Sequence, residues 1–261
     1  MDLARLNALK ARVKRRLKHA LYKPNPPKLD QRLAALPRVF KSPPLTWSLT
    51  NAIHLISPHC DFRPTEQNRG TWEADQNGAC WAEYEALEPT LKTIRGRILE
   101  IGPGLGRSLV FFSKKLGWDR YELHAYEGNG TTTQYTLNGP RFETSWCGTI
   151  SELKNVLTYN GIHNVTIHDA NKIKMRDLPG PFDLVFGFYN IGYHWSLEHF
   201  MPEINKLIGN HGIGIFTVPR GFQPFAELKT VPHRIVAKGS VIPDTDSSGG
   251  LLILGPMQRE N

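Results

Sequence analysis

Residues 97–108 read Arg97-Ile98-Leu99-Glu100-Ile101-Gly102-Pro103-Gly104-Leu105-Gly106-Arg107-Ser108. An apolar run enters three glycines at alternate positions and leaves into a polar, helix-compatible stretch, the pattern of a strand, a tight turn and a helix. Glycine there lets the backbone take left-handed angles and approach a ligand with no Cβ in the way. Working outward, the alternation continues on both sides. An amphipathic helix is expected over residues 79–94, ended by Gly96, with further helices over 108–116, 150–159 and 197–208. Strands are expected over 122–126, 165–168, 182–188 and 212–218, and two last segments, 234–241 and 251–254, close the sheet as a hairpin-like pair. Strand and helix in turn predict a doubly wound α/β sheet with helices on both faces, which binds ligands at the C-terminal ends of its strands.

The register of the glycines decides which ligand. A dinucleotide loop has the spacing G-x-G-x-x-G, whose third glycine would fall where Arg107 stands, and Gly106 comes one place early. The residues instead spell an acid two places before the first glycine, then G-x-G-x-G: Glu100, Gly102, Gly104, Gly106. A second acid, Glu127, stands 21 residues beyond Gly106 at the end of Leu123-His124-Ala125-Tyr126-Glu127-Gly128. A third, Asp169, ends Thr166-Ile167-His168-Asp169-Ala170. This ordered set, spread over roughly residues 78–220, resembles class I S-adenosylmethionine (SAM) methyltransferases. The resemblance implies a Rossmann-like SAM methyltransferase sheet, SAM as cofactor and S-adenosylhomocysteine (SAH) as product. It further implies that Gly102, Pro103, Gly104 and Gly106 carry the backbone past the ligand and that Glu100 influences its cationic amino group. Glu127 beside Gly128 would accept from the ribose hydroxyls, Asp169 and the Ala170 backbone would meet the adenine, and Phe188 would complete the set. Carboxylates at such a loop suit a cofactor that has no pyrophosphate and carries positive charge.

After the fourth strand comes Phe188-Tyr189-Asn190-Ile191-Gly192-Tyr193-His194-Trp195-Ser196-Leu197-Glu198-His199-Phe200, dense in aromatic rings and imidazoles where the transferable methyl should point. The N-P-P-Y box of amino methyltransferases is not matched. Asn190-Ile191-Gly192-Tyr193 has no proline, and Asn190 lies seven residues beyond Asp183, too far for that register. Nucleic-acid methylation is therefore discounted. The segment resembles instead the corresponding one in bacterial sugar O-methyltransferases of surface-polysaccharide pathways, which implies in-line transfer to a sugar hydroxyl. A hydroxyl needs a base as the methyl arrives; His194 is the candidate, with Tyr189 as second base or orienting group. Tyr193, Trp195 and Trp72 are suited to stack on a pyranose face, and Arg69 to hold an anionic group, core packing and surface pairing being the competing roles. Residues 68–73 are expected to form a lid, and the long connection 128–149 to lie over the site. No metal is expected: no carboxylates cluster after the fourth and fifth strands, and His54, His59 and Cys60 lack a fourth ligand.

The 261 residues, 40% hydrophobic and 21% charged, describe an ordinary globular chain, and no apolar run approaches the length of a spanning helix. The net charge of +8 suggests an anionic partner, but nine bases against one acid lie within residues 1–28, leaving 23 of each sign for the rest. That argues against nucleic acid as a partner of the body. Leu3, Leu6, Val13, Leu17 and Leu21 make residues 3–21 a basic amphipathic helix, closed by Pro24, Pro26 and Pro27 and suited to anionic membrane or a partner protein. The expected organisation is a basic helix and linker (1–28), an N-terminal extension (29–77) and a methyltransferase domain (78–261). Three scattered cysteines and no signal-like apolar core point to a cytoplasmic protein, peripheral on the inner membrane face, acting on a small-molecule or glycan substrate. Two alternatives stay open: a methyltransferase for a non-sugar small molecule, and a non-catalytic subunit built on the same fold.

Overall fold

Hydrophobic strands that alternate with helices must bury both sheet faces, and the computed structural model, which describes residues 34–43, 69–128, 150–192, 195–219, 221–237 and 249–255, shows how. Strands β1 (Arg97–Ile101), β2 (Glu122–Glu127), β3 (Val165–Asp169), β4 (Leu184–Gly187) and β5 (Ile213–Val218) are parallel, and β7 (Gly250–Leu254) lies antiparallel between β5 and β6 (His233–Val236). The sheet order is β3-β2-β1-β4-β5-β7-β6. β1 sits where the order reverses, with β2 on one side and β4 on the other, so the crevice at its C-terminal end is the natural ligand site.

Alternate residues of the central strands serve two separate cores. Ile98, Leu123, Ala125, Leu184, Phe186 and Ile215 pack against helices α1 (Arg69–Leu91), α2 (Arg107–Leu116) and α3 (Ile150–Tyr159). Leu99, Ile101, Val185, Phe216 and Val218 pack against α4 (Leu197–Ile208), whose Leu197, Met201, Ile204 and Leu207 form one apolar stripe. Local chemistry sets the helix ends. Gly117, at φ 65°, closes α2 with its amide on the Ser113 carbonyl, and the Ser196 hydroxyl caps α4 by accepting the His199 amide at 3.3 Å.

Several boundaries differ from expectation, the last strand but one among them, which covers His233–Val236 where 234–241 is expected. The fourth strand is only Leu184–Gly187, because Asp183 before it turns its carboxylate to the Arg97 amide at 2.7 Å. The first helix begins at Arg69, ten residues before position 79, so residues 69–73, expected as a lid, form its first turns, and the 77/78 boundary falls inside it. Its early half is polar, Glu73, Asp75, Gln76 and Asn77, yet largely buried, and hydrogen bonds satisfy it. The extended segment 37–43 crosses this half as a strap. Asn77 Oδ1 accepts the Val39 and Phe40 amides, both at 2.9 Å, and its Nδ2 donates to the Phe40 and Glu73 carbonyls. Asn160, just past α3, accepts the Lys41 amide at 3.0 Å and donates to the Lys41 carbonyl at 2.6 Å. Phe40, fully buried, ties the strap into the core.

The basic helix 3–21, Asn68, Tyr193, His194, the connection 129–149 and residues 238–241 lie outside the described residues. Among the described residues, no helix is long and apolar enough to cross a membrane.

Candidate active site

Three strand ends meet through the backbone. The Gly102 amide donates to the Tyr126 carbonyl at 2.9 Å, joining the glycine loop to β2, and the Ala170 amide donates to the Glu127 carbonyl at 2.9 Å, joining the end of β3 to it. The loop then turns through three left-handed glycines, Gly102, Gly104 and Gly106 at φ 61°, 58° and 72°. The Gly106 amide donates to the Pro103 carbonyl at 2.8 Å, and the Gly106 carbonyl accepts the Val110 amide at 3.0 Å, which starts α2. The expected cofactor residues of the first three strands are thus brought to one edge of the sheet.

Glu127 is the centre of this edge. Its Oε2 accepts the Gly104 amide at 2.8 Å and its Oε1 the Gly128 amide at 3.0 Å. The carboxyl is 1% exposed, and burial pushes its pKa up to about 8 against the pull of the two amides. A ribose hydroxyl would share its oxygens with these amides, which carboxylate lone pairs permit. Gly104 is the open point of the loop: among the described residues a Cβ built on it would meet nothing within 4 Å. Asp169 is half-buried, accepting the Asn171 amide at 3.0 Å and pairing with Lys172 at 3.4 Å.

Glu100 faces the α2 side of the sheet. It is 2% exposed, the Leu109 amide and Ser108 hydroxyl are among its partners, and its Oε2 has no hydrogen-bond partner among the described residues. Burial pushes this carboxyl up to about 8, the Arg107 charge acting the other way. Arg107 makes a two-point pair with Glu83 of α1, at 3.1 and 2.9 Å, and also donates to Cys80 Sγ at 3.0 Å. Burial opposes its charge, but Glu83, Cys80 and Tyr189 together more than offset that, and the guanidinium stays protonated. Cys80 is buried, with its thiol pushed up to about 12, so it packs as an unreactive side chain.

The fit to a cofactor follows from this set. Two buried carboxyls flank the loop, one oxygen is orphaned, and Gly104 leaves space where a side chain would intrude. Of the loop's own residues only Arg107 is basic, and Glu83 holds it. A cationic, ribose-bearing ligand finds acceptors in this set. SAM fits this set of acceptors.

The acceptor side is more mixed. Tyr189 holds a left-handed φ of 59° and lies with its ring 5.8 Å from Arg107 Cζ. Phe188, expected at the cofactor, is a core residue, 8% exposed and packed on Phe112 and Phe186. Trp72 is likewise a core side chain, 2% exposed, edge-on to Phe40 at 5.9 Å, and presents no face to a sugar. Trp195 is buried against Phe200, in the α4 core, and Arg69 is half-buried at the start of α1. His199 is exposed, its ring edge-on to Phe200. No metal-binding group of His, Cys, Asp and Glu exists among the described residues. The site residues not anticipated are Glu83, which no local pattern marks, and Asn190, whose partners lie almost ninety positions earlier.

No family model matches the chain, and no curated protein matches it. Several solved structures are similar. One is the YcgJ protein from Bacillus subtilis, at TM-score 0.35 and 16% identity over 52% of this chain; the chain spans 51% of that protein, about half its length. A SAM-dependent methyltransferase from Aquifex aeolicus matches at TM-score 0.40 and 14% identity, over 64% of this chain and 86% of that one. A variant of the protein MtNAS, in complex with SAM, matches at TM-score 0.46 and 13% identity, over 79% of this chain and 71% of that one.

Proposed function

We propose that this chain is a SAM-dependent methyltransferase. The observation that carries the reading is Glu127, a buried carboxyl at the end of β2 bridging the Gly104 and Gly128 amides beside the switch point of a doubly wound sheet. SAM, when bound, supplies a methyl on a sulfonium that a nucleophile attacks in line. The residues here would orient it: Glu127 on the ribose, Asp169 and Ala170 at the adenine, and the open backbone at Gly104 alongside. Calorimetry with SAM, SAH and NAD tests this. SAM and SAH should bind in the micromolar range and NAD should not, and Glu127→Ala should weaken SAM by about 1–3 kcal/mol through the lost hydrogen bonds to the ribose. Binding of NAD alone, or of no nucleotide by the folded protein, would defeat the reading.

We further infer that the acceptor is a hydroxyl on a sugar or glycan intermediate of surface-polysaccharide synthesis. The support is the run 188–200 and the imidazole it carries at His194, which would take the hydroxyl proton as the C–O bond forms and the methyl leaves sulfur, with Tyr189 orienting the acceptor. His194→Ala should keep SAM affinity while methyl transfer to a sugar acceptor falls roughly 10²-fold or more. Near-normal transfer in that variant would remove His194 from the role. SAM binding without transfer to any sugar, but with transfer to phenols or acids, would favour the non-sugar alternative.

A further inference from the structure

The segment that follows β4 grips the glycine loop at both of its ends. Asn190 is 7% exposed, and its Nδ2 donates to the carbonyls of Ile101 and Gly102, the last residue of β1 and the first of the loop, the second bond at 3.2 Å. Its Oδ1 accepts the Ile191 amide at 2.5 Å, and its backbone carbonyl accepts the Trp195 amide at 3.0 Å. β1 and β4 pair directly as far as Glu100 and Phe186, so where the two strands part the carboxamide stands in for the next peptide group of the ladder. Two glycines make room for it. A Cβ on Gly102 would come within 2.8 Å of Asn190 Nδ2, and one on Gly187 within 2.4 Å of Oδ1. At the other end of the loop, Tyr189 takes its left-handed φ and lies under Arg107, the residue that follows Gly106. A bulky residue keeps such an angle only where its surroundings over-determine it.

We propose that Asn190 is a positioning residue that, with Tyr189, locks the acceptor segment 187–192 to the cofactor loop, so that a ligand settling on the loop also sets the acceptor segment. The proposal rests on the methyltransferase reading and deepens it. Both N–H groups of the carboxamide are committed to the Ile101 and Gly102 carbonyls and its oxygen to the Ile191 amide, so each of its polar atoms is engaged within the fold. Asn190 therefore acts through the loop, and acceptor recognition falls to its neighbours.

Hydrogen exchange read by mass spectrometry, with the full chain and SAH as the probe, tests the coupling. In the unmodified protein, saturating SAH should slow exchange in both 102–108 and 187–192. In Asn190→Ala, SAH should still protect 102–108, while its protection of 187–192 falls about tenfold, the equivalent of one lost buried hydrogen bond. Gly187→Ala, which keeps Asn190 and drives a methyl against its oxygen, should uncouple the segments in the same way. If Asn190→Ala does not fold, Asn190→Asp, which keeps the size and removes the donor, serves in its place. A merely structural Asn190 would lower protection of both segments together, or of neither, and either pattern overturns the proposal. Failure of the unmodified protein to bind SAH overturns the methyltransferase reading and this proposal with it; intact binding with unlinked segments overturns this proposal alone.

Discussion

The three glycines of the loop share a left-handed angle but are glycine for different reasons. At Gly102 the space belongs to Asn190, and at Gly106 a Cβ would strike Leu153 of α3 at 2.7 Å, whereas at Gly104 the space is open. Gly104→Ala should therefore cost only the backbone term, about 1–2 kcal/mol. Gly106→Ala should cost measurably more in urea denaturation, because the buried Leu153 and Leu157 side chains must also shift. SAH affinity should rank the two against their stabilities, falling more per unit of stability lost for Gly104→Ala. Equal stability losses would mean that α3 yields freely at Leu153. The glycines are legible in the sequence because a strand-to-turn step selects them wherever it occurs. The reasons are not, since Asn190 and Leu153 lie dozens of positions away and nothing local marks them as neighbours.

Helix α1 shows where local patterns mislead. Its early half is polar and reads as a loop, yet the strap 37–43 and the carboxamide of Asn77 satisfy it in the core. Its later half holds Glu83, fully buried, and its pair with Arg107 fastens α1 to the start of α2, directly behind the cofactor loop. Removing one partner of such a pair leaves a charge with no counterion in a low-dielectric place, so Glu83→Gln should lose about 3–5 kcal/mol. The double variant Glu83→Gln/Arg107→Met should recover part of that loss, read from urea midpoints; a loss as large in the double variant as in the single would show that packing rather than charge is at stake. The strands and α2–α4 are legible because apolar periodicity announces them. The α1 extension and its ion pair are not, because they arise only when segments separated by tens of residues meet.

Proton binding by the fold pulls stability in two directions. Burial pushes Glu100 and Glu127 from 4.5 up to about 8, so the native state holds protons that the unfolded chain releases, and stability falls as pH rises from about 4.5 to 8. Burial lowers His124 and His168, which share a hydrogen bond of 2.8 Å across β2 and β3, beneath 6.5. The unfolded chain therefore binds more protons there, and stability is lost as pH falls below about 6.5. The urea midpoint should be higher at pH 6.5 than at 8.5, and Glu100→Gln should flatten that slope; a midpoint equal or higher at pH 8.5 would show the carboxyls already ionised in the fold. The position of β7 has a separate consequence, for the order of assembly. β6 precedes β7 in the chain yet, among the described residues, pairs only with it, so until residues 250–254 emerge from the ribosome β6 has no place in the sheet, and β5 presents a bare apolar edge. A nascent chain stalled between 237 and 249 would expose that edge to other chains and tend to aggregate instead of lacking just one strand.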